Sequence, residues 1–193
     1  MRDGELKVFS GSAHPELAAA ICQLQTIGLD QVASHENGLT AYALEKLAGI
    51  PGIQIYGDRD PERASQRLGV IPMGLQAVTH FLAASVLGYE FGIGVRSGCF
   101  CAHPYILHLL GLTPEQARKV RQTMLSGDKR NMPGLIRASF GIYNSCAEVD
   151  ALVEALGHIQ KGDYQGRYVQ EKASGEYKPE AWSPQFDSYF SFI

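Results

Sequence analysis

The chain has 193 residues with 17 Lys and Arg against 20 Asp and Glu, a net charge of −3 with no block of like charge. That balance argues against nucleic acid or an anionic membrane surface as a partner, because both select basic patches. An apolar fraction of 45% excludes wholesale disorder, and no apolar run approaches the roughly 18 residues of a membrane helix.

The first residues carry no element signal. From Pro15, apolar residues Leu17, Ala18, Ile21, Leu24 and Ile27 recur at helical spacing, and Gly28 closes the helix. Leu29, Val32, Leu39, Ala43, Leu44 and Leu47 mark a second helix ending before Pro51, weakened at its centre by Gly38. Gln54–Tyr56 reads as a short strand, Asp58–Arg67 as a loop, and Leu68–Pro72 as a strand ended by its proline. A helix over Leu75–Leu87, a strand over Ile93–Arg96 and a helix over Ala102–Leu110 follow. Thr113, Pro114 and Gln116 open a further helix with a cap and a first-turn proline. Leu135–Phe140 is a strand and Ser145–Ile159 the last helix.

This order predicts an α+β fold, broadly α/β, with a small, mostly antiparallel sheet backed by helices. The segments are a leader over residues 1–13, a domain over 14–161 and an aromatic-rich tail over 162–193. The tail carries Tyr164, Tyr168, Tyr177, Trp182, Phe186, Tyr189, Phe190 and Phe192, a density that predicts packing on the domain or on a neighbouring chain. The N-terminus lacks the apolar core of a signal peptide. Four cysteines, Cys22, Cys99, Cys101 and Cys146, read as reduced thiols of a cytoplasmic protein.

The chemistry concentrates in Gly92–Pro104, where a strand runs into a loop holding Cys99, Cys101 and His103, and a helix follows. A thiol ahead of a helix N-terminus, with Arg96 nearby, favours the reactive thiolate. The alternative is that both cysteines are small buried hydrophobes. Cys99, Cys101, His103 and His108 are too compact for the spacing of a structural zinc site, and no metal is expected.

Gly-Ile-x-Val-Arg-Ser-Gly-x-x-Cys-Ala-x-Pro resembles the active-site cysteine loop of the group II cysteine desulfurases and selenocysteine lyases. These are pyridoxal-phosphate enzymes of the class V aminotransferase family. Arg137–Asn144 with the acidic helix start at Glu148 resembles the family's closing strand, turn and helix. His35-Glu36-x-x-Leu39-Thr40-x-Tyr42 running to Ile50-Pro51-Gly52-Ile53-x-Ile55-Tyr56-Gly57 resembles the entry to its small domain.

The resemblance implies the C-terminal domain of a fold-type I pyridoxal-phosphate transferase that takes L-cysteine to L-alanine. Cys101 falls on the cysteine that becomes a persulfide, Arg137 on the arginine that grips the substrate carboxylate, and Arg96 on a second active-site arginine. Cys99 and His103 are accessory candidates; His103 either tunes the Cys101 thiol or caps its helix. Asn144 is read as a helix cap. The implied partners are an upstream cofactor domain, a second copy of the chain and a sulfur-acceptor protein.

The sequence departs from the pattern in two places. The family holds its cofactor on a lysine that follows a histidine, and none of Lys7, Lys46, Lys119, Lys129, Lys161, Lys172 and Lys178 does so. The expectation is a chain that carries no covalent cofactor and is inactive alone. Cys99-Phe100 also stands where the family commonly has two histidines. Other class V activities, a cofactor-free thiol or sulfur carrier, a metal-binding module and a structural dimerisation domain are the alternatives.

Overall fold

The computed structural model describes residues 15–181 and 183. Helices α1 (Pro15–Ile27) and α2 (Leu29–Ala48) are joined at Gly28, whose positive φ of 96° turns the chain. Strand β1 (Ile53–Ile55) follows, then a 3₁₀ helix (Pro61–Gln66), β2 (Val70–Leu75), α3 (His80–Phe91) and β3 (Arg96–Gly98). Helices α4 (His103–Leu109) and α5 (Pro114–Leu125) lead to β4 (Leu135–Ser139), α6 (Cys146–Lys161) and the hairpin β5 (Tyr168–Gln170)–β6 (Tyr177–Pro179).

The four-stranded sheet has the order β1-β2-β4-β3 and every neighbouring pair is antiparallel. One face buries Ile55, Ile71, Met73, Ile136 and Ala138 against Leu44 and Leu47 of α2, Val86 and Leu87 of α3, and Leu156 and Ile159 of α6. The alternation along β4 sends Leu135 and Arg137 to the other face. Leu135 there joins a small cluster with Cys99 and Ile106 of α4, leaving the arginine beside it.

Several boundaries differ from expectation. Pro72 does not end its strand, since β2 continues to Leu75. The Pro72 carbonyl accepts from Tyr56 N at 3.0 Å, so the residue's nitrogen also faces the end of β1, where the ladder needs no donor. Helix α3 starts at His80 because Thr79 caps it, its hydroxyl accepting from Leu82 N at 3.2 Å. Residues 93–95 are not strand, and pairing begins at Arg96. The polar stretch 58–67 forms a 3₁₀ helix capped by Asp60. Helix α2 runs unbroken through Gly38 because tertiary burial of Leu39, Ala43 and Leu44 outweighs the glycine's cost.

The cap of α6 is Ser145, which forms a capping box with Glu148. Asn144 instead turns its Oδ1 back to accept from Gly141 N at 2.8 Å, and so holds the preceding turn. His35 Nε2 bonds the Asn144 carbonyl at 2.9 Å, and Glu36 accepts from Gly69 N at 2.8 Å. Both contacts tie α2 to the ends of the two central strands.

The first part of the tail lies on the domain. The Glu90 carboxylate accepts from Gln165 N, Gly166 N and the Tyr168 hydroxyl at 2.9, 2.9 and 2.8 Å. Ser85 donates to the Tyr177 carbonyl, and Lys129 N to that of Lys172, both at 2.9 Å. Trp182, Phe186, Tyr189, Phe190 and Phe192 lie outside the described residues. Among the described residues no helix is long and apolar enough to cross a membrane.

Candidate active site

Strand β3 is an edge strand, and its pairing with β4 sets Arg96 opposite Arg137. Side chains of directly opposed residues share a sheet face, so the two arginines project from the same face of the sheet. Like charges so placed repel and give no structural benefit. Among the described residues neither arginine forms an ion pair. Arg96 is exposed, whereas Arg137 is half-buried with its Nε sealed from water and unpartnered. A guanidinium with no ion-pair partner on the same face as a second cation suits a carboxylate ligand, which the planar fork binds bidentately.

Arg137 is also tied to the cysteine loop. Its guanidinium carbon lies 5.2 Å from the centre of the Phe100 ring, a cation–π contact that aims the group toward the turn before α4. Phe100 and Cys101 both adopt left-handed backbone, with φ of 52° and 62°, and are the only non-glycine residues to do so among those described. Side chains rarely accept this conformation, and two successive residues adopt it at this one turn. The turn leaves the Cys101 thiol exposed, two residues before the first turn of α4.

Cys99, two residues away, is 4% exposed, and its Sγ donates to the Pro133 carbonyl at 3.2 Å. Burial pushes its thiol up, away from the thiolate. Cys99 is therefore a packing residue here, whereas Cys101 is not, so the alternative of two buried cysteines holds for Cys99 alone. His103 is exposed at the start of α4 and makes no capping bond, so the capping role does not hold. His108 is exposed near the end of the same helix, and among the described residues no three His, Cys, Asp or Glu side chains converge as metal ligands.

Two contributors to this region went unread in the sequence. Phe100 carries no polar group, yet its ring supports Arg137. His80, at the first turn of α3, is half-buried and bridges Ser97 of β3 and the Met132 carbonyl. Its signal was a histidine, next to Thr79, set between Val78 and Phe81-Leu82. A 730 Å³ groove between α4 and α5 is lined by Cys99 and His103 but by neither Cys101 nor Arg137.

The aminotransferase class-V family profile matches residues 13–152. The chain belongs to the class V aminotransferase family. It is 34% identical over 144 residues to a probable cysteine desulfurase of Streptomyces coelicolor, covering 75% of this chain and 28% of that protein. A cysteine desulfurase of Serratia proteamaculans is 33% identical over 145 residues, with 75% and 29% covered. The structure of the cysteine desulfurase CsdA (S-sulfonic acid) from Escherichia coli superposes with a TM-score of 0.55 and 25% identity, over 75% of this chain and 29% of that one. The apo cysteine desulfurase from Thermococcus onnurineus gives the same TM-score at 28% identity, with 76% and 30% covered. The chain thus spans under a third of the length of the relatives it matches, and its fold is that of part of a fold-type I pyridoxal-phosphate enzyme.

Proposed function

We propose that this chain is the substrate-gripping and sulfur-accepting part of a cysteine desulfurase-like enzyme. The observation that carries the reading is the opposed pair Arg96–Arg137, with the Arg137 Nε unpartnered and its guanidinium laid over the residue before an exposed Cys101. Arg137 binds the α-carboxylate of L-cysteine through its fork, and Arg96 adds charge on the open side. The substrate sulfur is then directed at the Cys101 turn. The net change is L-cysteine plus the Cys101 thiol giving L-alanine plus a Cys101 persulfide, a covalent split of the sulfur transfer.

Pyridoxal phosphate supplies the electron sink for such carbon–sulfur cleavage. The residues here do not fit its attachment: no lysine follows a histidine, and none stands on the four-stranded sheet. No step of the cofactor is assigned to this chain, which by itself releases no sulfide from L-cysteine. In this reading its partners are a cofactor-binding domain, a second copy of the chain and a sulfur-acceptor protein.

The test is an NMR titration of the chain with L-cysteine and with cysteamine, which lacks the carboxylate. The expected result is shifts in β3 and β4 with L-cysteine alone, lost in Arg137→Ala and weakened in Arg137→Lys, whose point charge lacks the fork. Equal shifts with both ligands, or none with either, would overturn the carboxylate assignment.

A further inference from the structure

The start of α3, the strand β3 and the turn entering β4 meet beside the cysteine turn and are fastened there by the half-buried His80 and the buried Cys99. His80 Nε2 lies 2.9 Å from the Met132 carbonyl, an acceptor only, so Nε2 carries the proton. Nδ1 is therefore the acceptor, and the Ser97 hydroxyl donates to it at 2.8 Å. The next carbonyl, that of Pro133, receives the Cys99 thiol. Two consecutive carbonyls of the turn entering β4 are thus held by one side chain from α3 and one from the cysteine loop.

The junction is packed to contact. A Cβ on Gly134 would stand 2.7 Å from the Gly98 Cα and 2.8 Å from the His80 ring, so only glycine lets β3, the turn and the imidazole meet. The clamp sits between the groups the reaction uses. Ser97 follows Arg96, Cys99 precedes Cys101 by two positions, and the turn at Met132–Gly134 leads directly into the strand of Arg137.

We infer that His80 is a positioning residue, and Cys99 its second anchor. Together they fix the Cys101 turn and Arg96 against the strand carrying Arg137. The inference rests on the roles proposed above for those three residues, but its structural content is read on Cys99. Neither side chain touches substrate. They act by removing freedom from a turn whose two left-handed residues would otherwise relax.

The test compares iodoacetamide labelling of each cysteine, mapped by mass spectrometry, in the reduced wild-type chain, His80→Ala, His80→Gln and Leu156→Ala. Leu156 is fully buried in the helix-side core and serves as a control for general destabilisation. Wild-type Cys99 is expected to be the slowest cysteine. His80→Ala loses both bonds and speeds Cys99 labelling by about tenfold or more. His80→Gln, whose amide still reaches the Met132 carbonyl, restores most of the protection. Leu156→Ala, under conditions where it remains folded, leaves Cys99 protected. Cys99 protection unchanged in His80→Ala, or lost equally in Leu156→Ala, would overturn the inference. Should the carboxylate titration fail while Cys99 responds as described, the clamp stands and the assigned chemistry falls.

Discussion

Arg96 and Arg137 are cross-strand partners at the edge of the sheet, two cations on one face, and neither forms an ion pair among the described residues. Like charges directly opposite each other on a sheet cost stability. Arg96→Gln is therefore expected to raise the melting temperature slightly at low salt, by about 1 °C for a few tenths of a kcal/mol. The gain disappears in high salt, where exposed charges are screened. Thermal melts at two ionic strengths check it, and a melting temperature that falls at low salt would count against the repulsion.

His80 makes folding depend on pH. Burial pushes its imidazole below the usual histidine value, outweighing the Met132 carbonyl, which favours the charged form. The unfolded chain takes up a proton near pH 6.5 that the folded site refuses. The contribution of neutral His80 is thus complete above about pH 6.5 and is lost as pH falls through the lower, folded value. Urea unfolding at several pH values, compared with His80→Gln, reads this as a steeper loss in the wild type. Parallel curves would remove the effect.

Glu90 anchors the hairpin beyond the family match. Burial alone would raise its carboxyl, but the Gln165 and Gly166 amides and the Tyr168 hydroxyl hold it below the usual glutamate value. This stabilisation is present above the unfolded pKa and lost as pH falls through the folded one. Glu90→Gln removes the charge that those three donors share. Amide exchange over 165–170 is expected to quicken in the variant while α6 and β4 are unchanged; unchanged exchange at 165–170 would show that the carboxylate is not the anchor.

Much of the helix-side core was legible because α2, α3 and α6 carry apolar residues at helical spacing, and Thr113 and Ser145 begin true capping boxes. Pro72 misled because a proline blocks only one ladder position, and which one depends on a partner strand that is distant in sequence. The same non-locality hid the site's arrangement. Cys101, Arg96 and Arg137 could be named from motifs, but their register, the Phe100 ring under Arg137 and the His80 bridge arise from contacts across 17 to 52 positions. The burial of Cys99 was unreadable for a related reason, since a Cys-x-Cys spacing does not say which thiol turns inward.

Leu156→Ala probes the core that backs the site. The side chain is fully buried in α6, so the substitution is expected to cost about 2–5 kcal/mol through lost transfer energy and a residual cavity. Denaturant unfolding measures it. A cost below about 1 kcal/mol would mean that the site can collapse around the smaller residue.

In the proposed function the turn before α4 presents Cys101 as the reacting thiol, while Cys99 is buried. The most direct measurement is the rate of iodoacetamide labelling of each cysteine in the reduced chain at neutral pH. Cys101 is expected to react faster than the exposed Cys22 and Cys146, and Cys99 slowest. A chain in which Cys99 outpaces Cys101, or Cys101 is inert while Cys22 reacts, contradicts it.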